Sequence, residues 1–110
     1  MNSQAPLGEF EQLVLLAVMR LGENAYAVPV RQEIEERTSR SVARGALYVT
    51  LDRLEEKGYL KSWLADPTAE RGGRAKRFYE VRPAGQKALE YAWTALRAMW
   101  AGLEPKRREA

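Results

Sequence analysis

The chain has 110 residues, 45% hydrophobic and 30% charged, with a net charge of +3, a balance that suits one small soluble domain. It contains neither cysteine nor histidine, so disulfides, thiolate metal sites and the commonest general base are excluded together. No apolar run approaches the ~20 residues of a membrane span and no signal-peptide pattern opens the chain, so a cytoplasmic protein without a membrane partner is expected.

Residues 1–6 are polar and expected to fray. From Leu7 the spacing of Phe10, Leu13, Val14, Ala17, Val18 and Leu21 predicts a helix over 7–21 that Gly22 ends. Leu15, Leu16 and Met19 are apolar too, which leaves two roles open: a central core helix, or a helix with one face for its own core and one for a second subunit. Gly22-Glu23-Asn24 is a turn, and residues 26–28 either add a short strand or open the next helix. Pro29 is tolerated in a first helical turn. Val30 and Ile34 with the Glu33, Glu35, Glu36, Arg31 and Arg37 cluster then make a mostly polar second helix ending near residues 38–41.

A third helix is expected over 41–57, with Ser41 available as N-cap and Gly58 as the left-handed C-terminal stop. Leu47, Leu51 and Leu54 fall at i, i+4 and i+7 and define its buried side. The opposite side carries Gly45, Val49, Asp52, Arg53 and Glu56, with Arg44, Tyr48 and Glu55 along one border. The short connection pairs this helix with the second as a helix–turn–helix.

Residues 59–65 read as a strand, 66–75 as a loop turning at Gly72-Gly73, and 76–81 as a second strand. The hairpin is basic, carrying Arg71, Arg74, Lys76, Arg77 and Arg82, while Arg37, Arg40 and Arg44 lead into the third helix. Pro83 opens a last helix expected to reach Leu103. Its apolar residues Leu89, Ala92, Trp93, Leu96, Trp100 and Leu103 lie close to a heptad seam. About 20 helical residues span ~30 Å, more than so small a core can cover. A second copy is the economical partner, since most soluble oligomers are two-fold homodimers. Residues 104–110 are a charged tail expected to be disordered.

This order of elements predicts a mainly α protein with one small β-hairpin: a winged helix–turn–helix domain over 7–82 and a dimerisation helix over 83–103. Residues 44–60, Arg-Gly-Ala-Leu-Tyr-Val-Thr-Leu-Asp-Arg-Leu-Glu-Glu-Lys-Gly-Tyr-Leu, resemble the third-helix signature of the PadR-like transcriptional regulators. Residues 72–81, Gly-Gly-Arg-Ala-Lys-Arg-Phe-Tyr-Glu-Val, resemble that family's wing; Gly85 with Leu89 resembles the start of its C-terminal helix. The likeness runs from about residue 7 to residue 103 and is similar to the short subfamily with a single C-terminal helix. Val49 stands where many members carry Pro, Ala46 where many carry a hydroxyl residue, and Arg82-Pro83 where a Thr commonly caps the last helix.

The resemblance implies double-stranded DNA as partner, a repressor acting as a homodimer on a palindromic operator, and no cofactor. The first half of the third helix would enter a major groove, with Arg40, Ser41, Arg44, Gly45, Tyr48, Val49 and Arg53 near DNA; in the wing Arg71, Gly73, Arg74, Lys76 and Arg77 would grip phosphates. Four such wing contacts per protomer neutralise ~8 phosphates in a dimer and give a log–log salt slope near −7. Glu55 and Glu56 would repel DNA from the rest of that helix. The competing reading of the same residues packs Tyr48 under the second helix, pairs Arg53 with a nearby Glu and leaves the wing as a solvated loop. Leu13, Leu16, Leu89, Trp93, Leu96, Trp100 and Leu103 are expected at the dimer seam. Trp93 and Trp100 also suit an apolar cavity for a small hydrophobic effector, as in some short relatives. The alternative function is a winged-helix module that binds protein without direct DNA contact, because fold alone does not fix a partner. An enzyme is not expected: there is no Gly-rich phosphate loop opening a helix, no acidic cluster at metal spacing, and no base near Ser39 or Ser41.

Overall fold

The computed structural model describes residues 6–65 and 75–103. The tail expected at 104–110 and most of the loop at 66–75 lie outside the described residues. In chain order come α1 (Glu9–Leu21), a single 3₁₀ turn (Gly22–Asn24), α2 (Ala27–Thr38), α3 (Arg44–Glu56), β1 (Leu60–Leu64), β2 (Arg77–Val81) and α4 (Pro83–Trp100). The two strands pair antiparallel, Leu60 opposite Val81 and Leu64 opposite Arg77. This is the expected mainly α winged helix–turn–helix with a terminal helix.

One apolar cluster joins the first three helices to the hairpin. Val14, Leu15 and Val18 of α1 meet Val30 and Ile34 of α2, Leu47, Leu51 and Leu54 of α3, and Tyr59, Leu60 and Tyr79 of the wing. The leucine spacing read from α3 is the spacing buried there, with Thr50 joining it. In α1 five side chains are buried, whereas Leu16 and Met19 stay 44% and 43% exposed. Tyr26 resolves the other ambiguity by doing both jobs. It bridges Phe78 of the hairpin and also caps α2, whose Pro29 falls in the first turn, where no N–H is needed.

The end of α3 turns at Gly58, whose φ of +82° favours glycine. The following Tyr59 N–H donates back to the Leu54 carbonyl at 2.9 Å, the closure of a glycine-stopped helix. Gly85 is needed for a different reason. A Cβ there would stand 2.5 Å from the Tyr59 carbonyl oxygen and 3.1 Å from Val81 Cγ1, so α4 seats on the hairpin only because that side chain is missing. Leu89, one turn on, is buried in the chain's own core, because the close seat at Gly85 turns it inward. The helix also ends sooner than expected. After Trp100 the chain leaves helical geometry at Ala101, and Leu103 lies beyond the helix, its N–H donating to the Trp100 carbonyl at 2.6 Å.

Glu11 fastens the ends of two helices. One carboxylate oxygen accepts the Gly8 N–H at 2.8 Å, covering the start of α1, and the other accepts from Lys57 Nζ at 2.9 Å, at the end of α3. Burial alone would raise its pKa, but the Gly8 and Lys57 hydrogen bonds outweigh that and hold it below the ordinary carboxylate value. A depressed pKa stabilises the fold above the unfolded-state value and loses that contribution as pH falls through the folded-state value. Glu11→Gln should therefore lower unfolding free energy near neutral pH by about 1–3 kcal/mol. In urea titrations the gap to the parent should narrow as pH falls below the unfolded-state carboxylate value of about 4.3; a gap that stays constant contradicts this role.

Candidate nucleic-acid interface

The start of α3 is set by α2 rather than by a cap of its own. Its N-cap is Ala43, with extended backbone and no side-chain cap hydrogen bond. Ser41, expected to cap and begin the helix, is exposed in the turn two residues earlier. The reason lies at Val42, whose side chain is buried and whose peptide groups are both held by α2. Glu35 accepts the Val42 N–H at 2.8 Å, and Arg31 Nε donates to the Val42 carbonyl at 2.9 Å. The two side chains lie 3.6 Å apart as an i,i+4 pair. Their grip keeps the chain extended through residue 43, so helical geometry begins at Arg44. The i,i+4 spacing of Arg31 and Glu35 was visible in the sequence, but their common target seven and eleven residues away was not.

Beyond this turn the outer side of α3 is open. Arg44, Gly45, Ala46, Tyr48, Val49, Asp52 and Arg53 are all exposed. Tyr48, 46% exposed, does not pack under α2; with Val28, Arg31, Gln32 and Arg44 it lines a 250 Å³ recess between the two helices. Among the described residues neither Arg44 nor Arg53 forms an ion pair, although the charge of Arg53 acts on Glu11. Arg37 and Arg40, by contrast, are engaged. Arg37 pairs with Glu33 at 2.6 Å, and Arg40 chelates Glu9 through bonds of 3.2 and 2.8 Å.

Of the acids of α3, Glu55 is engaged by the wing. Burial raises the Tyr79 pKa, Arg77 opposes that, and the charges of Asp52 and Glu55 raise it further, as does Tyr48. Glu55 accepts the Ser62 hydroxyl at 2.8 and 2.9 Å, and Ser62 in turn accepts from Arg77 Nη1 at 2.8 Å. Glu55, expected to close off the helix to an anion, instead ties it to the wing. Arg77, expected on a phosphate, is the other end of that tie. Lys76 lies 4.5 Å above the Tyr26 ring, which also tilts against Phe78. Arg71, Gly73 and Arg74 lie outside the described residues.

The seam residues divide by position. Leu13 is partly buried against the core. Leu16, Met19, Leu89, Trp93 and Leu96 line a groove of about 260 Å³ between α1 and α4. Trp93, Leu96 and Trp100 are 61%, 53% and 47% exposed, with the Arg97 guanidinium 5.0 Å from the Trp93 ring. Trp100 stands two helical turns past Trp93, about 10 Å along the axis, and does not line the same groove.

Three helices, a two-stranded wing braced to the third, and an outer face on which Gly45 and Val49 lie between Arg44 and Arg53, neither ion-paired among the described residues, define a winged helix–turn–helix regulator of the DNA-binding kind. The transcriptional regulator PadR-like family matches residues 15–91, and the chain belongs to that family. Its structure is similar to a transcriptional regulator from Clostridium thermocellum at 19% identity, covering 84% of this chain and 87% of that one with a TM-score of 0.69. It is similar to a PadR family regulator from Clostridium difficile at 20% identity, with coverages of 86% and 94% and a TM-score of 0.68. The ORC1 protein of Aeropyrum pernix, solved in complex with DNA, matches at 24% identity over 84% of this chain but 26% of its own, with a TM-score of 0.62. No curated protein matches in sequence.

Removing the grip on Val42 should be measurable without any ligand. Glu35→Ala leaves the Val42 N–H without its acceptor and should cost about 1–3 kcal/mol in denaturant unfolding. Glu35→Gln keeps an acceptor and should recover most of the loss. Equal losses for both variants would mean that charge, rather than the bond to Val42, holds the turn.

Proposed function

We propose that this regulator binds double-stranded DNA sequence-specifically as a homodimer and represses transcription from a palindromic operator. The observation that carries the reading is the outer face of α3, where Gly45 and Val49 lie exposed between Arg44 and Arg53, neither of them in an ion pair among the described residues. Guanidinium groups can bond guanine edges bidentately or meet phosphates, and a small-featured helix can approach base edges. The wing is fixed beside that face by the Glu55–Ser62–Arg77 chain, which suits contact with the neighbouring backbone. A relative of the same fold solved on DNA adds support.

The dimer rests on α4. Its exposed Trp93, Leu96, Met99 and Trp100 form too much apolar surface for one small domain to leave in water. With Leu16 and Met19 of α1 they offer one continuous patch to a second copy, which brings two recognition helices onto one duplex. The groove beside Trp93 suits a small hydrophobic effector whose binding would change the spacing of those helices. Trp100 would take part only from the second copy or from a different surface.

With Arg77 bonded to Ser62, about three other wing contacts per protomer, ~6 in a dimer, give a log–log salt slope near −5. Arg74→Ala should weaken binding to every sequence alike and reduce that slope by about 2, whereas Arg53→Ala should relax sequence preference. Fluorescence anisotropy on specific and scrambled duplexes across a salt series measures both. A slope near zero, or two variants that bind like the parent, would overturn the docking.

A further inference from the structure

Gly45 has no reason inside the chain to be glycine. It lies in the first turn of α3, where glycine costs about 1 kcal/mol against alanine. A Cβ built there meets nothing within 4 Å, and its φ is not in the left-handed region. One turn along the same line is Val49, 54% exposed, a β-branched apolar side chain on a surface helix; Arg53 follows one turn later. Glu55, which would repel a polyanion, is hydrogen-bonded to Ser62 of the wing, while Asp52 and Glu56 stay exposed beside the strip. The strip is therefore a notch, then an isopropyl group, then a guanidinium at i, i+4 and i+8.

We propose that Gly45 and Val49 together determine sequence specificity by seating the 5-methyl group of a thymine in the major groove. This inference rests on the DNA-binding reading above. The thymine methyl is the apolar feature of the major-groove edge, and valine, which cannot hydrogen-bond, discriminates only through such a group. The missing side chain at Gly45 lets the helix backbone come close enough for the Val49 methyls to touch it. Arg53, one turn beyond, reaches a base further along the groove, so the contacted thymine lies within the same half-site as the base that Arg53 bonds.

The test uses the full chain and a duplex recovered by the parent protein from a random-sequence pool, with each thymine then replaced singly by deoxyuridine, which removes only the methyl. One thymine per half-site should be found whose replacement weakens parent binding about fourfold, the value of burying one methyl group. Val49→Ala, which changes both protomers, should bind the thymine duplex about as weakly as the parent binds a duplex with that thymine replaced in both half-sites, and should be indifferent to the replacement. Gly45→Ala should raise the melting temperature yet weaken binding, opposite signs that a purely structural role does not produce. If the parent binds every uracil duplex as tightly as the thymine one, or Val49→Ala keeps the parent's sensitivity, the thymine seat is wrong while DNA binding stands. A more stable Gly45→Ala that binds like the parent removes the close approach. If no sequence is enriched from the pool, sequence-specific binding itself fails and the inference falls with it.

Discussion

The position of α3 depends on two hydrogen bonds that it does not make. Val42 presents its N–H to Glu35 and its carbonyl to Arg31, so α2 decides where the third helix begins. A helix capped by Ser41 would begin two residues earlier, at Val42, and would take that residue out of the geometry in which Glu35 and Arg31 hold it. At the far end, Glu11 fixes Lys57, and Gly58 turns the chain into the wing. Both ends of the helix are thus held by groups outside it, and its outer face can be given to small and basic residues.

The same economy governs charge. Several side chains that look like a basic surface in sequence are spent on the fold: Arg40 on Glu9, Arg37 on Glu33, Arg77 on Ser62. Among the acids of α3, Glu55 undergoes the matching change, bound through Ser62 to the wing. What remains outward on α3 is a shorter stretch than charge counting suggests, from Arg44 to Arg53. Exposed ion pairs such as Arg40–Glu9 contribute little stability on their own; their effect here is to fix where free positive charge is found.

The periodic features were legible from the sequence: the Leu47, Leu51, Leu54 stripe, the Gly58 stop, the hairpin and the Pro83 start of α4 all follow from local chemistry. Contacts between elements were not. Leu89 continues the apolar spacing of the seam, and only the close seat of Gly85 against Tyr59 and Val81 turns it into the core. Ser41 has the chemistry of a cap, and nothing local to it reveals that Val42 is held extended by α2. Arg77 and Ser62 are fifteen residues apart, and their bond exists because Leu64 pairs with Arg77 across the hairpin. The candidate face was legible as a set of residues, whereas which of its charges are free required the packed structure.

In the proposed complex two copies of one short helical face enter successive major grooves on the same side of a duplex. Methylation interference on a duplex selected by the protein tests that directly, because guanine N7 is modified in the major groove and adenine N3 in the minor groove. The account predicts two clusters of interfering guanines about one helical turn, ~34 Å, apart. A single cluster, or interference confined to adenine N3, would contradict it.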